Sequence, residues 1–276
     1  MAPDREPVIG RAIPRLDSLN KVTGRAIFGA DVRLPHMLYA RYLSSPHAHA
    51  EIVAIDTSAA EALPGVRAVI TVADIPAAAR YNAASRFHAF IARGYTVFAG
   101  QPVAAVAADD LATAEAAIEL IAVTYRPLPV VATIRDALQP ESTPVLHGQV
   151  DGEAGGGASA HTQVIVSDDA SSKSTSSPNV ADENLFAYGD VEAGFAEADM
   201  IVEQTYTVPV VHQGYIEPHA ATARWDDDSH VTVWEPVQGT WAARDLIAGA
   251  LGLHPTQVTL HSPEVGGAFA WGCLGG

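Results

Sequence analysis

Apolar positions fall into two patterned blocks, separated by a polar stretch rich in glycine and serine. In the first block, residues 37–43 are aromatic and apolar and predict a strand. Residues 51–56 alternate and predict a second. Thr57 or Ser58 can cap a short helix over 59–63, closed by Pro64 and Gly65. Residues 66–70 predict a third strand. Residues 102–108 are a continuous apolar run, the signature of a buried strand. Asp109 and Asp110 then put negative charge at the start of an alanine-rich helix over 111–120, where the helix dipole favours it. A strand at 122–125, stopped by Arg126-Pro127-Leu128-Pro129, and a helical turn over 133–138 complete an α/β unit over 25–138.

The second block occupies 184–276. Asp190 caps an amphipathic helix predicted over 191–198. Residues 200–208 alternate and predict a long strand; 210–216, 220–225 and 230–234 predict three more, with a turn at 226–229. A helix over 240–251 ends at Gly252 as its C-cap, and 257–261 is the last strand. Between the blocks, residues 139–183 contain Gly155-Gly156-Gly157 and a serine-rich run at 171–177. Such a stretch buries too little apolar surface to offset the entropy of ordering, so it is predicted to be a flexible linker. Residues 1–24 are a polar arm made locally basic by Arg11, Arg15 and Lys21, with Arg25 just beyond it. Both a solvated arm and a subunit contact fit that pattern. The fold class is α+β.

Composition narrows the function classes. The chain is 48% hydrophobic and 17% charged, which is enough apolar content to form cores. A net charge of −16 argues against nucleic acid, whose phosphates require clustered Lys and Arg. The one cysteine, Cys273, excludes a disulfide framework and an iron–sulfur cluster held by four thiolates of this chain. No apolar run has the length of a membrane helix, and the first residues lack a secretory pattern, so the expected location is the cytoplasm.

Four features could carry chemistry. His47 and His49 would share a face on a strand and could chelate a metal, although no partner ligand stands at a specific spacing; ordinary hydrogen-bonded histidines are the favoured reading. Glu217 could act as a general base or as a buried acceptor for backbone amides, and the structural role is favoured. Gln238 follows a strand and adjoins a helix start. Its amide offers a donor and an acceptor, for a ligand or for a helix cap. Gly266-Gly267-Ala268-Phe269 follows a strand; its glycines permit close backbone approach to a ligand, and Phe269 could stack on a planar substrate or simply fill a core.

Several stretches in order resemble the large, molybdenum-binding subunit of the xanthine dehydrogenase and aldehyde oxidase family. They are Pro14 to Ala26, Ser45-Pro46-His47-Ala48-His49-Ala50, Gly100 to Val106, Val123 to Pro129, Gly189 to Phe195, and Gly214-Tyr215-Ile216-Glu217-Pro218. The resemblance implies a hammerhead α/β domain followed by the truncated start of a molybdopterin-binding α+β domain. It places Gln238 against an oxygen ligand of the molybdenum. It places Gly267, Ala268 and Phe269 at the cofactor, with Phe269 also packing on substrate. The implied chemistry is hydroxylation of an aldehyde or N-heterocycle with oxygen from water. The cofactor is molybdenum-molybdopterin, with or without the cytosine dinucleotide, and the 2Fe–2S and FAD centres lie on partner subunits.

The chain departs from that family after Phe269, reading Ala270-Trp271-Gly272-Cys273-Leu274-Gly275-Gly276. The family's base glutamate and most pterin loops have no counterpart here. The expectation is therefore an N-terminal fragment with no catalytic residue of its own, inactive and unable to retain cofactor unless a missing C-terminal segment completes it. A non-catalytic binding or assembly module that keeps the hammerhead fold is the alternative. An unrelated metal enzyme using His47 and His49 is a third reading.

Overall fold

A computed structural model describes residues 9–75, 91–144, 177, 179, 188–212, 214–226 and 229–267. Its contacts divide the chain into two compact units, one formed by Met1–Pro35 with Gly214–Gly276 and the other by His36–Gln213.

The His36–Gln213 unit is built around a strand that is apolar on both faces. Strand β1 (Tyr39–Ser44) is followed by β2 (Ala50–Asp56), helix α1 (Ser58–Glu61) and β3 (Val66–Thr71). Then come β4 (Tyr95–Thr96), β5 (Pro102–Ala108), helix α2 (Leu111–Glu119), β6 (Ala122–Pro127) and a helical turn, α3 (Ile134–Ala137). Strand β5 lies between β1 and β3, antiparallel to both. A second sheet has the order β4-β2-β6. Val103, Ala104, Val106 and Ala108 of β5 are fully buried, which is why that run carries no polar residue. Helix α2 begins where expected: the Asp110 carboxylate accepts from the Thr113 N–H at 2.8 Å. Its Ala117 packs with Ala104, Val106 and Ala60, small residues that let helix and sheet approach closely. Asp109 and Arg67 pair through two hydrogen bonds on the surface.

In the other unit, helix α4 (Ser18–Val22) lies in the N-terminal arm. Strands β7 (Thr222–Trp225) and β8 (Val231–Trp234) pair antiparallel, and β8 pairs parallel with β9 (Val258–His261). A parallel pair needs a crossover, supplied here by helix α5 (Thr240–Leu251). Gly252 ends α5 in the left-handed conformation at φ 69°, and the Leu253 N–H returns to the Ala248 carbonyl at 2.8 Å. Val231, Val233, Ala248 and Val258 form the core beneath it.

One expectation changes, and two gain detail. Residues 200–208 and 210–216 form no strand among the described residues. Met200, Val202, Tyr206 and Val208 are exposed, because alternation supplies a face but not the ladder partner that a strand requires. The arm's basic groups are partnered within the chain: Arg15 and Lys21 both pair with Asp17, and Lys21 also reaches Glu264 at 3.0 Å. Residues 25–35, grouped by pattern with the first unit, make their contacts with Gly214–Gly276, through a parallel bridge from Phe28 to Glu264. A short helix α6 (Val191–Glu197) forms as expected, capped by Asp190. Most of the expected linker lies outside the described residues. Among the described residues no helix is long and apolar enough to cross a membrane.

Candidate functional site

The parallel pair β8 and β9 presents two chain segments at one end of the sheet. In sheets of this kind ligands bind beyond the carboxyl ends of parallel strands. The last rung pairs Trp234 with His261, and the two rings stack at 5.6 Å. Beyond the rung, the Glu235 N–H donates to the His261 carbonyl at 3.1 Å. Ser262 then holds the departing chain: its hydroxyl accepts from the Val237 N–H at 3.2 Å and donates to the Val237 carbonyl at 3.0 Å. Gln238 is the next residue, exposed, one position outside the helix whose N-cap is Gly239.

The other segment leaves β9 through Ser262 and Pro263 to Glu264 and the glycine pair. Gly267 is the last described residue there, and Ala268 and Phe269 lie outside the described residues. Gln238 and Gly267 thus lie on the two segments that leave the neighbouring strands β8 and β9 at the same end of the sheet. The Glu217 carboxylate accepts from the Gly266 N–H through one oxygen and from the Gly29 N–H through the other, at 3.4 Å. The favoured reading of Glu217 as an acceptor for backbone amides describes those bonds.

His47 and His49 belong to the other unit, and each has a partner there. His49 is buried, and its Nδ1 lies 2.7 Å from the Pro129 carbonyl, which can only accept, so Nδ1 carries the proton. His47 packs its ring edge-on against Tyr125 at 4.9 Å. Among the described residues no group of three or more His, Cys, Asp or Glu could hold a metal ion. The end of the β8–β9 pair carries the Gln238 carboxamide and the loop's backbone amides beside Glu235, His261 and Glu264, and those acidic and imidazole groups do not gather as metal ligands among the described residues. A carboxamide with backbone amides suits an organic cofactor that carries its own metal better than a bare ion.

Electrostatics add one charge of note. Burial pushes the Glu235 carboxyl above its usual range, and His219, stacked on Tyr215 at 5.1 Å, opposes that shift. A carboxyl raised in the folded state weakens stability above its folded pKa and has no effect below its unfolded one. Glu235→Gln should therefore raise the urea midpoint near pH ~8 and leave it unchanged near pH ~3, where both states are protonated. An equal gain at both pH values would show that the desolvated charge is not the cause.

Sequence reasoning missed Ser262, Gly29 and the Lys21–Glu264 pair. Ser262 leaves a faint signal, a hydroxyl directly after a strand. Gly29 leaves none, because its partner lies 188 residues away.

Two family models match the chain. Residues 23–129 match the model of the aldehyde oxidase and xanthine dehydrogenase a/b hammerhead domain, and residues 173–270 match the molybdopterin cofactor-binding domain. The chain is 30% identical to the nicotinate dehydrogenase large molybdopterin subunit of Eubacterium barkeri, over 95% of this chain and 55% of that protein. It is 32% identical to the carbon monoxide dehydrogenase large chain of Afipia carboxidovorans, over 92% of this chain and 30% of that one. Quinoline 2-oxidoreductase from Pseudomonas putida 86 superposes with a TM-score of 0.77 at 27% identity, covering 96% of this chain and 31% of that one. The chain therefore spans about half the length of the first relative and about three-tenths of the other two.

Proposed function

The chain belongs to the aldehyde oxidase and xanthine dehydrogenase family, and from that premise we propose that it forms one wall of a molybdenum-molybdopterin site that hydroxylates an aldehyde or an N-heterocycle. The observation that carries this reading is the placement of Gln238 and the Gly266-Gly267 segment at the shared carboxyl end of β8 and β9. When bound, the cofactor supplies a two-electron oxidation in which water provides the oxygen and the substrate C–H becomes C–OH.

This chain's own groups bind and orient. The Gln238 carboxamide, fixed one residue after the Ser262-anchored Val237, would hold an oxygen ligand of the cofactor through its donor and its acceptor. Gly267 brings the backbone close, since a residue without Cβ admits the nearest approach. Ala268 and Phe269 follow in the sequence, and on this reading Phe269 would pack on the substrate ring. On this reading electrons would leave through iron–sulfur and FAD centres held by partner subunits. The relatives support that arrangement, being large subunits of multi-subunit enzymes.

The test is Gln238→Ala in the complete enzyme, this chain with the segment that supplies the opposite wall and with its partner subunits, purified from a host that makes the cofactor. Removing one preorganised donor should lower kcat by about a hundredfold or more while the urea midpoint stays within error. Unaltered kcat would remove Gln238 from the site. A wild-type complex with neither molybdenum nor pterin, by elemental analysis and by fluorescence of the oxidised pterin, would overturn the reading as a whole.

A further inference from the structure

The N-terminal arm, taken here through Gly29, touches both halves of this site. The Glu264 N–H donates to the Ile27 carbonyl at 2.9 Å, Phe28 bridges Glu264, and the Lys21 ammonium lies 3.0 Å from the Glu264 carboxylate. On its other side the arm meets the Gln238 turn. A Cβ added to Gly29 would lie 2.8 Å from the Pro236 ring and 2.8 Å from the Ala220 carbonyl oxygen. Pro236 stands two residues before Gln238. The arm is thus wedged between the segment that carries Gln238 and the segment that carries Gly267.

One side chain joins these pieces. Glu217 has two carboxylate oxygens; one accepts from Gly29 in the arm and the other from Gly266 in the glycine loop. Its Cβ sits so close to Gly266 that an added methyl there would lie 2.6 Å from it, and 2.9 Å from Oε2. Gly266 is therefore a glycine for close approach rather than for unusual backbone angles, and the space that a side chain would fill is taken by Glu217. Amides bound to an ionised acceptor are held more firmly than amides bound to a neutral one.

We propose that Glu217 is a positioning residue: its shared carboxylate straps the N-terminal arm to the Gly266-Gly267 loop and so sets where that loop stands relative to Gln238. This rests on the reading of Gln238 and Gly267 as cofactor-facing groups. A neutral amide of the same size offers one acceptor oxygen and one donor –NH2, so it can serve one of the two amides and must face the other with a donor. A carboxylate that merely filled space would be replaced by glutamine without consequence.

Amide hydrogen exchange on the full chain tests the strap without any cofactor. In Glu217→Gln, the Gly29 or the Gly266 amide should exchange about tenfold to a hundredfold faster; in Glu217→Ala both should, while amides of β8 and α5 keep their protection. Wild-type rates at both glycines in Glu217→Gln would overturn the proposal, and its isosteric side chain keeps the test open if the alanine variant fails to fold. In the complex assembled with its partner subunits, Glu217→Gln should retain several-fold less pterin than wild type at an unchanged melting temperature. Equal pterin retention with freed amides would also overturn the positioning role. Absence of pterin from the wild-type complex would instead overturn the cofactor reading and leave the strap to be judged by exchange.

Discussion

Ala104→Asp is expected to destabilise the His36–Gln213 unit by more than about 4 kcal/mol, enough to remove its cooperative urea transition at room temperature. Ala104 is fully buried on the central strand β5. Its neighbours across the ladder are Leu43 on β1 and Thr71 on β3, and its cluster partners are Ala60, Val106, Ala117 and Ile121. None of these is cationic. A carboxylate placed there loses its water without gaining a counter-charge, and it protonates or expels the helix above it. Ala104→Val separates charge from volume. It adds apolar bulk to the same close-packed layer and should destabilise by about 1–3 kcal/mol. Circular dichroism during urea titration of both variants checks the prediction. A midpoint for Ala104→Asp equal to that of Ala104→Val would mean that the carboxylate escapes to solvent and that the layer is looser than its packing indicates.

That core is the part of the molecule that local pattern describes best. An apolar run such as 102–108 is compatible with few structures other than a doubly buried strand, and β5 occupies those same residues. Asp190 was readable as a helix cap, Asp110 as negative charge at a helix start, and Gly252 as a helix stop, because each acts within four residues of itself. The same logic fails for 200–208. Alternation predicts the strand's two faces, but pairing depends on another chain segment, and none among the described residues joins it.

The site divides along the same line. The strand–turn–helix–strand course around Gln238 and Gly266 has a local signature, so both segments were legible. What fixes them is long-range. Ser262 reaches back 25 residues to Val237, Glu217 reaches 49 residues forward to Gly266, and Gly29 lies 188 residues before Glu217. No periodicity encodes such pairs. The glycine at 29 looks like any loop glycine until its surroundings are known. The basic arm was legible only as a charge pattern. The structure resolves that pattern into an Arg15–Asp17–Lys21–Glu264 chain of ion pairs, in which Arg15 and then Lys21 hold the Asp17 carboxyl well below the usual carboxylate range.

Gly29→Val should destabilise the unit that contains the site by about 1–3 kcal/mol and shift the turn that carries Gln238. The prediction follows from what the added carbons would meet. A Cβ at position 29 falls 2.8 Å from the Ala220 carbonyl oxygen and 2.8 Å from the Pro236 ring. Neither neighbour is the loose end of a flexible side chain: one is backbone and the other is a ring locked to it. Relief must therefore come from movement of the arm, which loosens the Glu217 bond to the Gly29 N–H, or of Pro236, which displaces Gln238. Gly249→Ala is the matched control. It lies within α5, and its added Cβ meets nothing within 4 Å. Alanine there should stabilise by about 0.5–1 kcal/mol through lower chain entropy in the unfolded state. Urea midpoints of the two variants should thus move in opposite directions. Amide exchange at Gln238 should rise only in Gly29→Val. If exchange at Gln238 stays at the wild-type rate while the Gly29 variant is destabilised, the strain is absorbed by the arm alone, and Pro236 is held in place by the Ser262 anchor rather than by the arm packed against it.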